Sequence, residues 1–529
     1  MLDWTVHCNL LSRGYLPFPR RTTVTAAASN ATGSALTKEN QMTTPEAAVT
    51  ALSRDFEIQL DGRSIPTADR YTVEDPTTGK RLTDAPDCSA DDVDRIVRAA
   101  AEAQRAWGRR TVRERAATVR EFARVLREHT EELALLDALD AGFPIAAMRA
   151  DVDAAATLLE VMADLGASLG GATYPISPNL HYSTQDPYGV VARVIPFNHP
   201  ILFAAGKVAA PLVAGNAVVV KAPDQAPLST LRMAELAVEV FGPNLVAAVS
   251  GRGVVSGRAL TTHPLIRRIG FIGAPDTGRL IQRQAAEHGV KHVTLELGGK
   301  NALVVMPDAD LARAADAAVL GMNFTLTAGQ SCGSTSRLLL HESIVNEVLA
   351  SVVDQVRAIT VGHPLAEGTQ MGPLIDRKQY QKSMDAIAAA QAAGAPVQCG
   401  GGRPGSVGEE GWYVEPTVLG PMAPSNPAAV EEIFGPILSV IVFSDEDEAI
   451  RVANGSQYGL TAAVWTQDVT RAHRMAAALD AGYVWINGSA RHYWGLPFGG
   501  VKASGVGREE SEEELLSYTE TKAITVVLE

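Results

Sequence analysis

A cysteine, a glutamate and an asparagine in this chain have surroundings that suit joint work on a carbonyl carbon. Cys332 lies in "TAGQSCGSTSR", where Ser331, Gly333 and other small residues leave a thiol approachable. A thiolate is a strong nucleophile, whereas a cysteine without such a task is a small buried hydrophobe. Glu296 ends the apolar run of "VTLELGGK", ahead of two glycines. A carboxyl held in a cleft there would have a raised pKa and suit general-base work; the plainer reading is a strand-end glutamate in solvent. Asn198, in "VIPFNHP", stands between two prolines that stiffen the backbone and fix its amide. A fixed amide donor is what an oxyanion site requires, and a turn asparagine after proline is the alternative.

Other segments offer places for a phosphate-bearing ligand. "FIGAPDTGRLI" puts Gly273 and Gly278 between a strand and a helix, where amides can meet phosphate. It is neither GxGxxG nor a P-loop. Lys221 ends a strand just before "APDQAP", which contains Asp224, and strand ends of open α/β sheets bind ligands. Glu432 and Phe434 in "EEIFGP" join an acid and an aromatic in a rigid turn. His288 and His292 lie four apart but span a helix end at Gly289 and Val290, with no third ligand at a suitable spacing. No metal is expected.

These residues need a scaffold, and the spacing supplies one. "FEIQLDGRSIP" reads as a hairpin, and Ser89 caps a helix through "ADDVDRIVRAAAEAQRAW". Helical periodicity runs from Val112 to Leu139 and from Ala146 to Leu165. From Ala217 to Glu296, strands alternate with helices: strands at 217–221, 245–250, 269–272 and 292–296, helices at 230–241, 257–262 and 277–288. Such alternation predicts a doubly wound parallel sheet. A second alternating region runs from Ala302 to about Leu496, and "YTETKAITVVLE" closes the chain as a strand.

With 529 residues, two or three folded units are expected. The chain carries 46 basic against 60 acidic residues, and no basic block offsets the net charge of −14, which argues against nucleic acid or anionic lipid as partner. The apolar stretch Pro200–Val220 contains Lys207, Pro211 and Gly215, so it reads as a buried helix entering a buried strand rather than a membrane span. Cys8, Cys88, Cys332 and Cys399 are too widely spaced for a disulfide framework and suit a reducing compartment, the cytoplasm. Residues 1–50 are expected to be a disordered extension, with weak transit-peptide character and an alternative start at Met42.

Taken in order, "IPFNHP", "KAPD", "FIGAPDTG", "LELGGK", "GQSC", "GHPLAEGTQMGPLI", "EEIFGP" and "PFGGVKASGVGRE" resemble the NAD(P)-dependent aldehyde dehydrogenase superfamily, over roughly Phe56 to Glu529. The resemblance implies an α/β fold: a Rossmann-like cofactor domain (51–168 and 188–296), an α/β catalytic domain (297–518) and a small β bridging domain for oligomerisation (169–187 and 519–529). It implies NAD as cofactor, a small-molecule aldehyde as substrate, no membrane or nucleic-acid partner, and a homodimer or homotetramer. Cys332 matches the nucleophile, Asn198 the oxyanion donor and Glu296 the base that activates water against the thioester. Lys221 and Asp224 match ribose contacts, Gly273 and Gly278 the pyrophosphate stretch, and Glu432 with Phe434 the nicotinamide-ribose end; Phe197 and Leu297 fall on the cofactor side too. His199, Leu202, Phe203 and Gly206 match the substrate tunnel, with Ser331, Gly333 and Phe498 beside it.

Departures from the family pattern shape further expectations. Asp224 stands where Glu is frequent, Ala274 where Ser is, and Phe197 where Trp is common. Gly206 replaces a frequent aromatic, which predicts a wider tunnel and a bulky or aromatic aldehyde; Arg491 anchoring a substrate carboxylate is the competing reading. A CoA-acylating enzyme would tend to lack the glutamate, and an inactive fold relative the cysteine; this chain has both.

Overall fold

The computed structural model describes residues 52–528, so the expectations for residues 1–50 lie outside the described residues. Val190–Val194, Ala217–Lys221 and Val246–Val249 are runs rich in valine and alanine, buried almost throughout. Parallel strands covered by helices on both faces have this composition. They share a sheet with Ile266–Ile272 and His292–Glu296, in the order 292–296, 266–272, 190–194, 217–221, 246–249. From Val190–Val194 the chain first steps toward Val246–Val249, then returns to the other side at Ile266–Ile272. A reversal of this kind opens a crevice at the carboxyl ends of the strands.

The second sheet has seven strands, in the order 397–399, 417–419, 437–443, 337–341, 302–305, 461–465, 483–486, all parallel except the first. Only residues 297–301 separate Glu296, the end of a strand in the first sheet, from Ala302–Val305 inside the second. The carboxyl edge of one sheet therefore faces the amino edge of the other, with a large hydrophobic cluster around each. Gly505–Val506 pairs antiparallel with Leu295 and Glu296, so a piece of chain expected in the second unit completes the first sheet. Leu180–Pro187 and Thr519–Val526 form a separate antiparallel ribbon, the two segments expected to bridge subunits.

Local rules explain the elements. Ser89 caps Ala90–Trp107 in a capping box with Asp92, and Thr111 does the same with Glu114 for Val112–Glu128. The helix expected through Leu139 breaks at His129 (φ −104°, ψ 18°), and a new helix runs Thr130–Asp140. Pro200–Val220 also differs from expectation, with two short helices, Pro200–Gly206 and Ala209–Ala214, ahead of the strand. Pro211 has no N–H to give, so it is tolerated only where a helix begins. No helix among the described residues is long and apolar enough to cross a membrane.

Candidate active site

Cys332 sits in the loop that enters strand Arg337–His341 at the edge facing the first sheet. Asn323 (φ 58°), Ala328 (φ 51°) and Gly329 (φ 70°) take left-handed conformations on the approach, at a cost of about 1–3 kcal/mol for each non-glycine residue. A Cβ on Gly329 would stand 2.3 Å from the Gly435 carbonyl oxygen, so only glycine lets this loop lie against the turn that carries Glu432 and Phe434. Asn301 clamps the loop: its Nδ2 donates to the carbonyls of Cys332 (2.7 Å) and Ser334 (2.9 Å), and its Oδ1 accepts from the Thr461 amide (3.0 Å). Gln330 ties it further, donating to the Thr327 carbonyl (3.0 Å) and accepting from the Ile375 amide (3.2 Å). Burial, then the charges of Glu296 and Glu432, push the Cys332 thiol up to about 12. The sulfur is thus protonated at neutral pH and needs a base or a nearby positive charge to attack.

Glu296 is the last residue of its strand, paired with Ile272 on one side and Gly505 on the other. It is 5% exposed, and neither carboxylate oxygen has a hydrogen-bond partner among the described residues. An orphaned buried polar group costs about 1–3 kcal/mol, and native proteins keep few of them without a task. Burial, reinforced by the charge of Glu509, holds this carboxyl well above the usual range, and Lys207 and Arg508 pull against the shift. The carboxyl lies close over Gly499, where a Cβ would come within 2.8 Å of Oε1.

Behind Glu296 is an interior ion network. Lys207 Nζ stands 2.9 Å from Glu509 Oε2, and Arg193 Nη1 donates to Glu509 Oε1 at 2.8 Å and to Tyr518 Oη at 2.7 Å. Despite its burial, Glu509 is pulled down to about 2 by Arg193 and Lys207. From sequence, Lys207 served only to argue against a membrane span, and Glu509 closed the motif "PFGGVKASGVGRE" without a role of its own. The signal for Lys207 was its place, a lone charge within an apolar stretch.

Asn198 is 2% exposed, on the loop before helix Pro200–Gly206. Two acids on neighbouring helices fix that helix start: Asp137 Oδ2 accepts from the Ile201 amide (3.0 Å), and Asp151 Oδ2 lies 2.7 Å from His199 Nδ1. Burial resists charge on His199, but Asp151 outweighs it and the imidazole pKa is raised.

At the crevice of the first sheet, Lys221 Nζ donates to the Ala222 carbonyl (2.7 Å) and pairs with Asp224, whose other oxygen accepts from the Gly253 amide (3.1 Å). The Gly273 amide donates to the Glu296 carbonyl (3.0 Å). Gly278 lets helix Pro275–Glu287 close on Leu297, since a Cβ there would meet Leu297 Cδ2 at 2.8 Å. That helix begins with Pro275 and no side-chain cap, so its first amides are left for water or an anion. Glu432 Oε1 accepts from the Gly299 amide (2.8 Å), three residues after Glu296. Phe434 (φ 62°) meets Phe197 edge to face at 5.9 Å. Of the residues named from sequence as cofactor contacts, Lys221 and Asp224 meet each other, Gly278 meets Leu297, and Phe434 meets Phe197.

The substrate-side residues divide. His199 and Phe203 meet edge to face at 5.6 Å, and Ser331 is half-buried beside Cys332. Gly333 is buried, its carbonyl accepting from Thr461 Oγ1 at 3.4 Å. Phe498 packs on His492 at 4.4 Å and Tyr483 at 5.6 Å. Gly206 is a correction: a Cβ there would meet Leu158 Cδ2 at 3.1 Å, so the missing side chain lets helix Ile145–Leu165 pack closely and does not leave open tunnel. Arg491 is exposed and lies over the Tyr493 ring at 5.0 Å. His288 and His292 turn to different partners, the Gln284 carbonyl and Tyr188 Oη.

A thiol, a buried carboxyl without a partner among the described residues and a crevice at the carboxyl ends of an α/β sheet lie where the two sheets join. Residues 65–524 match the aldehyde dehydrogenase family, and the chain belongs to it; its activity is the oxidation of an aldehyde to an acid. The chain is similar to the aldehyde dehydrogenase tropH of Talaromyces stipitatus, 42% identical over 90% of this chain and 94% of that one. It is also similar to an aldehyde dehydrogenase from Bacillus cereus solved as an NAD+ complex, 35% identical over 92% of this chain and 99% of that one, with a TM-score of 0.88. A third is the indole-3-acetaldehyde dehydrogenase AldA of P. syringae, solved as a cysteine-to-alanine mutant with NAD+ and IAA: 35% identity, coverage of 91% and 99%, TM-score 0.88.

Proposed function

We propose that the chain oxidises an aldehyde with NAD as hydride acceptor, through a thioester on Cys332 that water hydrolyses with Glu296 as base. The observation that carries this reading is a half-buried thiol that feels the charge of a carboxyl whose two oxygens have no partner among the described residues. The residues present fit NAD: Lys221 and Asp224 would hold the adenosine ribose, the first amides of Pro275–Glu287 the pyrophosphate, and Glu432 with Phe434 the nicotinamide ribose. Bound there, NAD supplies an acceptor for hydride.

Each protein group then has a defined task. Cys332 gives its proton to solvent water, and the thiolate forms a bond to the aldehyde carbon. The Asn198 amide and the Cys332 N–H hold the resulting oxyanion. As the oxyanion re-forms the carbonyl, hydride leaves the same carbon and a thioester remains on Cys332. Glu296 next takes a proton from water, whose oxygen adds to the thioester carbonyl; the C–S bond breaks and the acid departs. Lys207 and Glu509, behind Glu296, stabilise the charges that this cycle creates. The presence of Glu296 favours water over CoA as acyl acceptor. Phe203 and Phe498, if they wall the substrate path, would favour a bulky or aromatic aldehyde, with burial worth roughly 25 cal/mol per Å². The ribbon of Leu180–Pro187 and Thr519–Val526 would bridge subunits of a homodimer or homotetramer.

The test is rapid mixing of the Glu296→Gln variant with NAD and benzaldehyde. A first-turnover burst of NADH should be followed by a steady state slowed by about 10²–10⁴-fold. Normal steady-state turnover removes Glu296 as the base, and NADH formation by Cys332→Ala removes the thiol as nucleophile.

A further inference from the structure

The Asn198 side chain is 2% exposed and makes no hydrogen bond of its own among the described residues. Where its amide points therefore depends on the backbone that carries it. That backbone runs straight into helix Pro200–Gly206, whose cap residue His199 (φ −148°, ψ 68°) gives the helix no side-chain bond. A helix start leaves several amides unpaired, and a helix this short does not hold itself together in water. Bonds from elsewhere have to fix the segment.

Two other helices supply them. Asp137, on Thr130–Asp140, is 0% exposed, and its Oδ2 accepts from the Ile201 amide at 3.0 Å. Asp151, on Ile145–Leu165, places Oδ2 2.7 Å from His199 Nδ1. Burial resists charge on this ring and Asp151 outweighs it, so the bond is charge-assisted and strong. Phe203 holds the imidazole edge to face at 5.6 Å. Ile145–Leu165 packs against both Thr130–Asp140 and Pro200–Gly206, and Leu158 closes on Gly206 at the far end of the short helix. Burying an acid is costly unless hydrogen bonds offset it, and burial raises the Asp137 carboxyl above its usual range. Two acids from different helices nevertheless meet one stretch of chain, residues 199–201, directly after Asn198.

We propose that Asp151 and Asp137 are positioning residues that aim the Asn198 amide: gripping the chain one and three residues further on, they set the direction in which the amide meets the oxyanion. The proposal rests on the reading of Asn198 as oxyanion donor. Neither acid has to touch substrate or cofactor. Their effect falls on the steps in which a carbonyl oxygen gains charge, and the thiol keeps its own reactivity.

The experiment measures the first-turnover rate of NADH formation by rapid mixing with NAD and saturating benzaldehyde, and in parallel the alkylation of Cys332 by iodoacetamide, which forms no oxyanion. The variants are Asp151→Ala, Asp151→Asn, Asp137→Ala, Asn198→Ala and the double variant Asp151→Ala with Asn198→Ala. Loss of an oxyanion donor costs about 10²–10³-fold, so Asn198→Ala should slow the first turnover on that scale. Misaiming the donor without removing it should cost about 10- to 100-fold in Asp151→Ala and Asp137→Ala, with the KM for NAD and the alkylation rate within about twofold of wild type. Asp151→Asn can still accept from the imidazole N–H and should restore most of the rate. The double variant should be no slower than Asn198→Ala alone, because an acid that acts only through Asn198 then has nothing left to aim. His199→Leu removes the same bond from its other end and takes the place of Asp151→Ala if that variant folds poorly. Multiplied losses in the double variant, alkylation slowed as much as the first turnover, or a first turnover within about twofold of wild type in either single aspartate-to-alanine variant overturns the proposal. If Asn198→Ala itself keeps a normal first turnover, the oxyanion reading fails first. If it slows while the aspartate variants do not, only the positioning role fails.

Discussion

Asn301→Ala is the sharpest test of how the nucleophile is held. The amide joins the Cys332 and Ser334 carbonyls to the Thr461 amide in a place that is 3% exposed. Truncation leaves one donor and two acceptors buried, at about 1–3 kcal/mol for each orphan. Water entering the space left by the side chain can satisfy part of the set, which brings the expected loss to roughly 2–4 kcal/mol. That loss falls on local opening of the Cys332 loop, so amide hydrogen exchange over residues 328–336 should accelerate by about 30- to 1000-fold. A nucleophile displaced by an ångström costs about 10²-fold, and kcat/KM should fall on that scale. Asn301→Asp extends the reasoning. As a neutral acid the new side chain can still donate one O–H to a carbonyl, and once ionised it can donate none, so its folded pKa is raised and its penalty grows as pH rises. The variant should therefore lose more protection at pH 8 than at pH 5. Exchange within about threefold of wild type, together with unchanged kcat/KM, would refute the clamp.

In the steady state, turnover limited by thioester hydrolysis should rise with pH as Glu296 loses its proton through a pKa well above the ordinary carboxylate range, with a flat profile between pH 5 and 8 as the contrary result. Free-enzyme alkylation of Cys332 by iodoacetamide should be slow at pH 7 and climb steeply toward alkaline pH, because the thiol is pushed up to about 12; mass spectrometry of the labelled peptide gives the rate. With Asp224, bonded to Lys221 and the Gly253 amide, as the proposed ribose contact, its negative charge would face a 2′-phosphate, so kcat/KM should favour NAD over NADP by about tenfold or more on Coulomb estimates; equal values would contradict this. Gly206→Trp should lower the thermal midpoint of the whole protein, since overpacking against Leu158 costs about 1–3 kcal/mol or more, while a variant of normal stability with only large aldehydes rejected would restore the open-tunnel reading.

Much of this was legible in the sequence where the cause is local. Ser89 and Asp92 announce a helix start, valine-rich runs announce buried parallel strands, and "TAGQSC" and "LELGG" mark a thiol and a carboxyl by their small neighbours. Candidate cofactor residues could be named because a strand end, a glycine turn or an acid–aromatic turn is itself a short motif. Asn301 and the ion pairs of Glu509 escaped because the partners are tertiary: Asn301 to Thr461 and Arg193 to Glu509 join distant parts of the chain. Gly206 was misread for a related reason, since a glycine on a helix looks alike whether it faces a tunnel or a second helix, and only Leu158 decides. The break at His129 is hidden because apolar residues continue across it in helical register.

Gly505–Val506 pairs with Leu295 and Glu296, the Leu297 amide donates to the Ser504 carbonyl at 2.9 Å, and Ser504 Oγ donates to the Gly298 carbonyl at 2.7 Å. During synthesis, then, Glu296 and Cys332 emerge from the ribosome long before the strand that pairs with Glu296. Contacts across so much sequence are slow to form, and domains otherwise settle in the order they are made. A nascent chain carries a thiol but not the finished chamber, which keeps a reactive centre idle until translation has passed the last of its walls. Premature termination before Ser504 therefore yields a protein that keeps Cys332 and Glu296 and lacks the strand that pairs with Glu296.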